Sequence, residues 1–430
     1  MGQVLTSNAG ELRRVYSDDI VDKAVALYSK SIDWLDGTKR EDGDIGEAAY
    51  WQFQTQYNWG VAPTGEGEAF STAGTNSSIN PYFILGQLQG SVNYSLLYKE
   101  MARGRGVYAG AEDGVRRLTK DLMKAILTLA DIYFSGGAGD GVLGTVAANT
   151  TTSTSFVADV PYGVIPFQLG MPLQIHDDSS TEREDYSRIT KIVHSTRTVT
   201  LDASQNLTAG DKIYFSRGTS LGTRGISNLL NGFENLVDDS GTVHNINRST
   251  YEDWKANVFG NGGVLRNYSD EYIHEALAVT TSRTKADTVV DHLVSNEGLL
   301  KKYNDSKRSD IRYPIANGDA SGINSGVNLK PVFHYGDRSI PWISFRHVRP
   351  RKIYGVSKAN FKRFGWARPK WLGAGDPELA LNSTGGRLTA EEVFLYWPLQ
   401  IIGRRFNDMF VVEDLSDPVH CGTIVNGSDS

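Results

Sequence analysis

Two stretches near the N-terminal end of the chain alternate strictly between apolar and polar residues. In residues 51–59, Trp51, Phe53, Tyr57 and Trp59 alternate with Gln52, Gln54, Gln56 and Asn58. In residues 84–94, Ile84, Leu88, Val92 and Tyr94 are set against Gln87, Gln89 and Asn93. A period of two is the signature of a strand with unlike faces. The run from Gly60 to Asn80 between them is rich in Gly, Ser, Thr and Asn, so the pair predicts one long antiparallel hairpin with arms of ~30 Å. A hairpin standing alone is marginal in water. Its aromatic face therefore needs a cover, either the protein's own core or a neighbouring molecule.

Helical periodicity comes next. In residues 18–35, Ile20, Val21, Ala24, Leu27, Tyr28, Ile32 and Leu35 follow an acidic start, which predicts an amphipathic helix. A longer one is predicted over residues 109–134, where Val115, Leu118, Leu122, Ala125, Ile126, Leu129 and Tyr133 form one stripe. Arg116, Lys120 and Lys124 lie at i, i+4 and i+8 on another face. The glycine-rich run GGAGDGVLG should stop this helix.

From Phe156 to Arg217 the pattern changes to short strands such as ITKIV, TVTLD and KIYFS, divided by turns. This predicts a compact β module inserted in the chain. Further on, SDEYIHEALAVTTSRT and the region around VVDHLVSNEGLLKKY read as helical. GVNLKPVFHYG, PWISFRHV, KIYGV and EVFLYWPLQIIG read as strands, and the tail VNGSDS as disordered.

Composition narrows the class. At 430 residues, 40% hydrophobic and 22% charged, the chain is a globular protein of two or three lobes. No apolar run approaches the ~20 residues that cross a bilayer, and the first residues lack a signal-peptide core. Cys421 is the single cysteine, so an intramolecular disulfide and a cysteine-rich metal site are excluded. The net charge of −6 argues against global attraction to nucleic acid. Locally, ten Lys and Arg and no acidic residue fall between Arg338 and Lys370, interleaved with Trp342, Phe345, Tyr354, Phe361, Phe364 and Trp366. Such a run suits either a nucleic-acid surface with stacking platforms or strands whose cations meet acidic neighbours, and the second is the commoner case.

Four motifs invite chemistry. Gly139, Gly141 and Gly144 match G-x-G-x-x-G, but they follow a helix, whereas a dinucleotide site needs a strand before and a helix after. Gly218, Ser220 and Gly222 match G-x-S-x-G. A serine hydrolase using Ser220 would also need an Asp, a His (His244, His274 or His292) and a parallel sheet, and no series of strand–helix units precedes the motif. The eight histidines show no metal-binding spacing, and Asp42, Asp44 and Glu47 fall short of a calcium loop. Gly2 and Thr6 match an acylation signal, but only Arg13 and Arg14 supply nearby positive charge. The residues thus imply no cofactor and no metal.

The order of the pieces carries a family resemblance. A helical arm, a long two-stranded loop and a long helix ending in LADIYFSGGAGDGVLGTV are followed by VDDSGTVHNINRSTYEDWKANV, TVVDHLVSNEGLLKKYNDSKRSDIRY and SIPWISFRHVRPRKIYGVSKANFKRF. Over most of residues 15–415 this resembles the Hong Kong 97-type major capsid proteins of tailed bacteriophages. The resemblance implies an α+β fold: an N-terminal arm (1–40), an extended E-loop hairpin (41–100) and a spine helix with the first part of the peripheral domain (101–155). The inserted β module (156–217), an axial domain (218–345), a return to the peripheral domain (346–415) and a C-terminal tail (416–430) complete it. It implies a non-enzymatic subunit that assembles in the host bacterial cytoplasm as pentamers and hexamers into the icosahedral shell of a virion enclosing double-stranded DNA. Portal, scaffold and decoration proteins would be partners, and no membrane. An encapsulin-type compartment of the same fold is the alternative. On this reading Trp51, Phe53, Tyr57, Trp59, Leu88, Val92 and Tyr94 are subunit-interface residues, and Arg116, Lys120 and Lys124 face the DNA.

Overall fold

The computed structural model describes residues 31, 34, 48–56, 58, 61, 74–95, 109–159, 162–177, 182–215, 230–284, 290–307, 331–366, 368–372 and 390–417. The fold is α+β. Its axis is the helix Ala109–Gly136, ~42 Å long at 1.5 Å per residue. Met123, Ile126, Leu127, Ala130 and Phe134 are buried at the three- and four-residue spacing of one helix face. The stripe is rotated from the predicted one, since Leu118 is 47% exposed and Ala125 is exposed. The helix stops where expected. The Gly137 N–H bonds the Tyr133 carbonyl at 2.9 Å, and Gly139 and Gly141 then take φ of 80° and 77°, the left-handed region glycine enters without a Cβ clash.

A four-stranded sheet packs against this helix. Its centre is Ala390–Gly403, paired antiparallel with Gly86–Ser95 in unbroken register from Ala390↔Ser95 to Leu399↔Gly86. Phe361–Gly365 and Lys370–Leu372 hold its other edge. Gly90 sits under the helix, where a Cβ would lie 2.6 Å from the Leu122 side chain. This pairing corrects the predicted hairpin. Residues 84–94 do not pair with residues 51–59. Instead Ala48–Tyr50 pairs with Tyr82–Ile84, and Phe53–Gln56 with Ser77–Ile79. The alternation in 84–94 is real, but it suits the apolar run of Ala390–Gly403 equally well, and periodicity does not name a partner.

The β module is a closed barrel. Six strands run in the order Val142–Thr145, Lys212–Phe215, Pro172–His176, Glu182–Val193, Thr198–Leu207, Thr150–Val157. An antiparallel bridge between Val146 and Ala158 brings the two ends together. Leu143, Phe156, Leu173, Ile175, Ile189, Val199, Leu201 and Ile213 fill it. The barrel therefore starts at Val142, ahead of the expected boundary at 156. The strand TTTSTSFV lacks apolar alternation because Thr and Ser occupy most of it.

The third unit is a six-stranded mixed sheet in the order Asn257–Phe259, Phe410–Val412, Ile353–Val356, His292–Ser295, Arg338–Ser344, Val332–Tyr335. It carries the helices Asp270–Arg283 and Glu297–Lys307, with Ser269 capping the first by accepting from the Glu271 N–H. Ile273, Leu277, Leu299, Phe333, Trp342 and Phe410 pack as its core. Two expectations change here. The sheet takes strands from beyond residue 345, so it crosses the expected boundary between axial and returning segments. VVDHLV is no helix: Val290, Leu293 and Val294 are buried and His292–Ser295 is an inner strand between Arg338–Ser344 and Ile353–Val356. A short buried apolar run is ambiguous between the two states, and β-branching favours the strand.

Of the predicted helix over residues 18–35, Ser31 and Trp34 are described; both are helical and buried. Trp34 stands among Phe134, Phe233, His292, Phe345 and Phe361, with ring centroids 5.5–6.4 Å away. Ser31 donates to Asp131 of the long helix.

Candidate assembly surfaces

The hairpin leaves the body at residues 48–56 and 77–84, and its root is aromatic. Phe53 meets Trp254 edge-on at 4.8 Å, and Trp51 lies 5.7 Å from Phe83 and 5.0 Å from His244. Both rings are half-buried against the main core, while Gln52 and Gln54 face outward. Leu88 is 5% exposed inside the same core. At Trp51, Phe53 and Leu88 the aromatic and apolar face meets the subunit's own core, Trp51 at His244, Phe53 at Trp254, and Leu88 on the strand paired with Ala390–Gly403. Val92 is half-buried, and Tyr94 lies on the strand opposite Glu391. Tyr57 and Trp59 lie outside the described residues.

Beside the root is a cleft of about 330 Å³ lined by Trp51, Phe53, Asp253, Arg404, Arg405 and Asp408. Burial, then the adjacent Arg405, lowers the Arg404 pKa. On the long helix Lys120 and Lys124 are exposed; of the Arg116 side chain nothing is described.

Two cations of the basic segment from Arg338 to Lys370, Arg349 and Lys352, meet acidic neighbours. Lys352 reaches Glu234 at 2.8 Å and Glu413 at 2.6 Å, Arg349 lies 3.6 Å from Glu234, and the Tyr354 hydroxyl donates to Glu234 at 2.6 Å. Burial pushes the Glu234 carboxyl up. Arg349, Lys352 and the hydrogen bonds from Lys352 and Tyr354 outweigh it, and the net shift is downward. Burial likewise lowers Lys352, but the two carboxylates hold it above its usual value. The Lys358 ammonium stands 5.3 Å over the Trp34 ring. Sequence reasoning missed this network, since its partners lie 118 and 61 positions from Lys352.

Ser220 and the G-x-S-x-G motif lie outside the described residues. His244 and His292 are apart from it in role: His292 bonds Asp291 at 2.6 Å, and His244 sits in the hairpin root. Among the described residues no group of His, Cys, Asp and Glu is arranged to hold a metal ion, and no described helix is long and apolar enough to cross a membrane.

No family profile and no curated protein matches the chain. Solved structures do. A chain of the cyanophage A-1(L) capsid asymmetric unit is 10% identical, with 88% of this chain and 91% of that chain covered at a TM-score of 0.49. A chain from the capsid of an empty GTA particle is 8% identical, covering 90% and 91% at 0.43. One from Gordonia phage Cozz is 12% identical, covering 90% and 87% at 0.42.

Proposed function

We propose that this chain is a tailed-phage major capsid protein of Hong Kong 97 type, a structural subunit that forms pentamers and hexamers of an icosahedral shell around double-stranded DNA. One observation carries the reading. Strand Ala390–Gly403 returns across the chain to pair with Gly86–Ser95 against the long helix. That produces one lobe built from both ends of the chain, with the mixed-sheet lobe and the added barrel supplied by the residues between. This is the order the sequence resemblance implies, with the hairpin as the projecting arm.

In this reading the hairpin beyond its root lies on a neighbouring subunit, through Tyr57 and Trp59 and, at the strand edge, Val92 and Tyr94. Leu88, buried in the single chain, would back this surface from beneath, and Trp51 and Phe53 would serve the root. Arg116, Lys120 and Lys124 touch packaged DNA through phosphate alone, so binding by free subunits is weak and falls steeply with salt. Scaffold, portal and decoration proteins complete the partners, and assembly takes place in the host cytoplasm.

Negative-stain microscopy of the purified protein is the test. Closed shells are expected, with nucleic acid in native particles. A monomer that hydrolyses esters would overturn the proposal in favour of Ser220 chemistry, and shells filled with protein cargo would favour an encapsulin-type compartment.

A further inference from the structure

His244 and Asn245 are the two central residues of a tight turn between Thr242–Val243 and Ile246–Asn247, paired Thr242↔Asn247 and Val243↔Ile246. Their φ angles are 51° and 63°. Two-residue turns of this kind need positive φ at both positions and ordinarily use Asn-Gly. Histidine and asparagine are among the few non-glycine residues that enter this region with any frequency.

The surroundings are specific. The ring is buried between Trp51 at 5.0 Å, Phe83 at 6.2 Å and Phe406 at 6.1 Å. The His244 carbonyl accepts the Tyr82 N–H at 3.2 Å. Its Nε2 accepts the Gly403 N–H at 3.3 Å, which places the ring proton on Nδ1, buried without a partner among the described residues. One residue thus bonds both the hairpin strand Tyr82–Ile84 and the end of the central strand Ala390–Gly403. Two consecutive positive φ angles and a buried donor without a partner among the described residues meet at this junction.

We propose that the His244–Asn245 turn is a latch that holds the paired root strands Ala48–Tyr50 and Tyr82–Ile84 on the body. The imidazole acts as wedge and as acceptor. The ring fills the aromatic root, and the lone pair on Nε2 ties the root to the main sheet. The latch is a property of the folded subunit and holds whether or not shells form.

Hydrogen exchange on the full chain tests it, comparing wild type with H244F, H244Q and N245G. The loss of the Nε2 acceptor in H244F should speed exchange at Gly403 by about tenfold or more, with a smaller acceleration at Tyr82, whose acceptor is the main-chain carbonyl of residue 244, leaving His292–Ser295 and Ile353–Val356 unchanged. H244Q, which restores an acceptor, should recover most of the protection. N245G should keep or raise it, because glycine relieves the strain at φ of 63°. Equal acceleration across all sheets, an unaffected root, or no recovery in H244Q would each overturn the latch. Should H244F fail to fold, H244L makes the same comparison, and failure of both would make the turn an ordinary core element and overturn the proposal.

Discussion

The Tyr162 hydroxyl of the barrel donates to the carbonyl of Gly136, the last residue of the long helix. A helix end leaves its final carbonyls without intrahelical donors, and here a side chain from the inserted barrel supplies one. Arg349 stacks on the Tyr162 ring at 4.7 Å and its Nε lies 3.4 Å from the same carbonyl. Tyr162→Phe should therefore lower stability by ~1 kcal/mol, read as a shift in the urea midpoint at constant slope.

The strands that begin and end the barrel in the sequence pair with each other, with Val142 opposite Tyr214 and Thr145 opposite Lys212. Its ends are neighbours, which suits an insertion. Replacing 142–215 by a short Gly-Ser linker should leave a soluble protein with its helical circular dichroism intact. Replacing only 156–217 should give insoluble protein, because Leu143 and Val146 would lose their cover. Equal behaviour of the two deletions would place the boundary elsewhere.

Among the described residues Glu234, on the short helix Phe233–Leu236, is the carboxylate within 4.0 Å of both Arg349 and Lys352. Neutralising it leaves two half-buried cations short of a partner. Glu234→Gln should cost roughly 3 kcal/mol, and Lys352→Met rather less, since Glu413 is more exposed than Glu234. Chemical denaturation at pH 7 checks the order.

Burial, with Arg248 beside it, holds the His244 pKa down to about 3. The unfolded chain takes up that proton near pH 6.5, so the neutral ring contributes stability that is complete above pH 6.5 and is lost as the pH falls toward 3. The full span is on the order of 5 kcal/mol. H244F cannot titrate, so the stability gap between wild type and H244F should narrow steadily from pH 6.5 to pH 4. A gap independent of pH would mean that the ring is charged or exposed in the folded state.

How much of this was legible depended on the range of the interaction. The long helix was readable because its stop and most of its apolar periodicity lie within a few residues, although Met123 and Leu127 shift the buried face away from Leu118. Strand character in 84–94 was readable too, but its partner lies some 300 positions away and sequence alternation carries no such address. VVDHLV misled because a short apolar run fits a buried strand and a helix alike. The His-Asn turn could have been found, since HN stands between the β-branched Val243 and Ile246 in TVHNIN, but nothing local announces that the ring is bonded to Gly403.

The ten-residue ladder between Gly86–Ser95 and Ala390–Gly403 also imposes an order on synthesis. The strand Ala390–Gly403 emerges from the ribosome some 300 residues after its partner Gly86–Ser95. Until then the apolar edge of Gly86–Ser95 has no mate, and contacts of such separation close slowly. Premature association between nascent chains is the hazard this creates, and a holdase or a slow final stage of translation is where the cell can relieve it. A chain truncated before residue 390 should accordingly collect in inclusion bodies, while the barrel, whose strands all lie within 142–215, folds early.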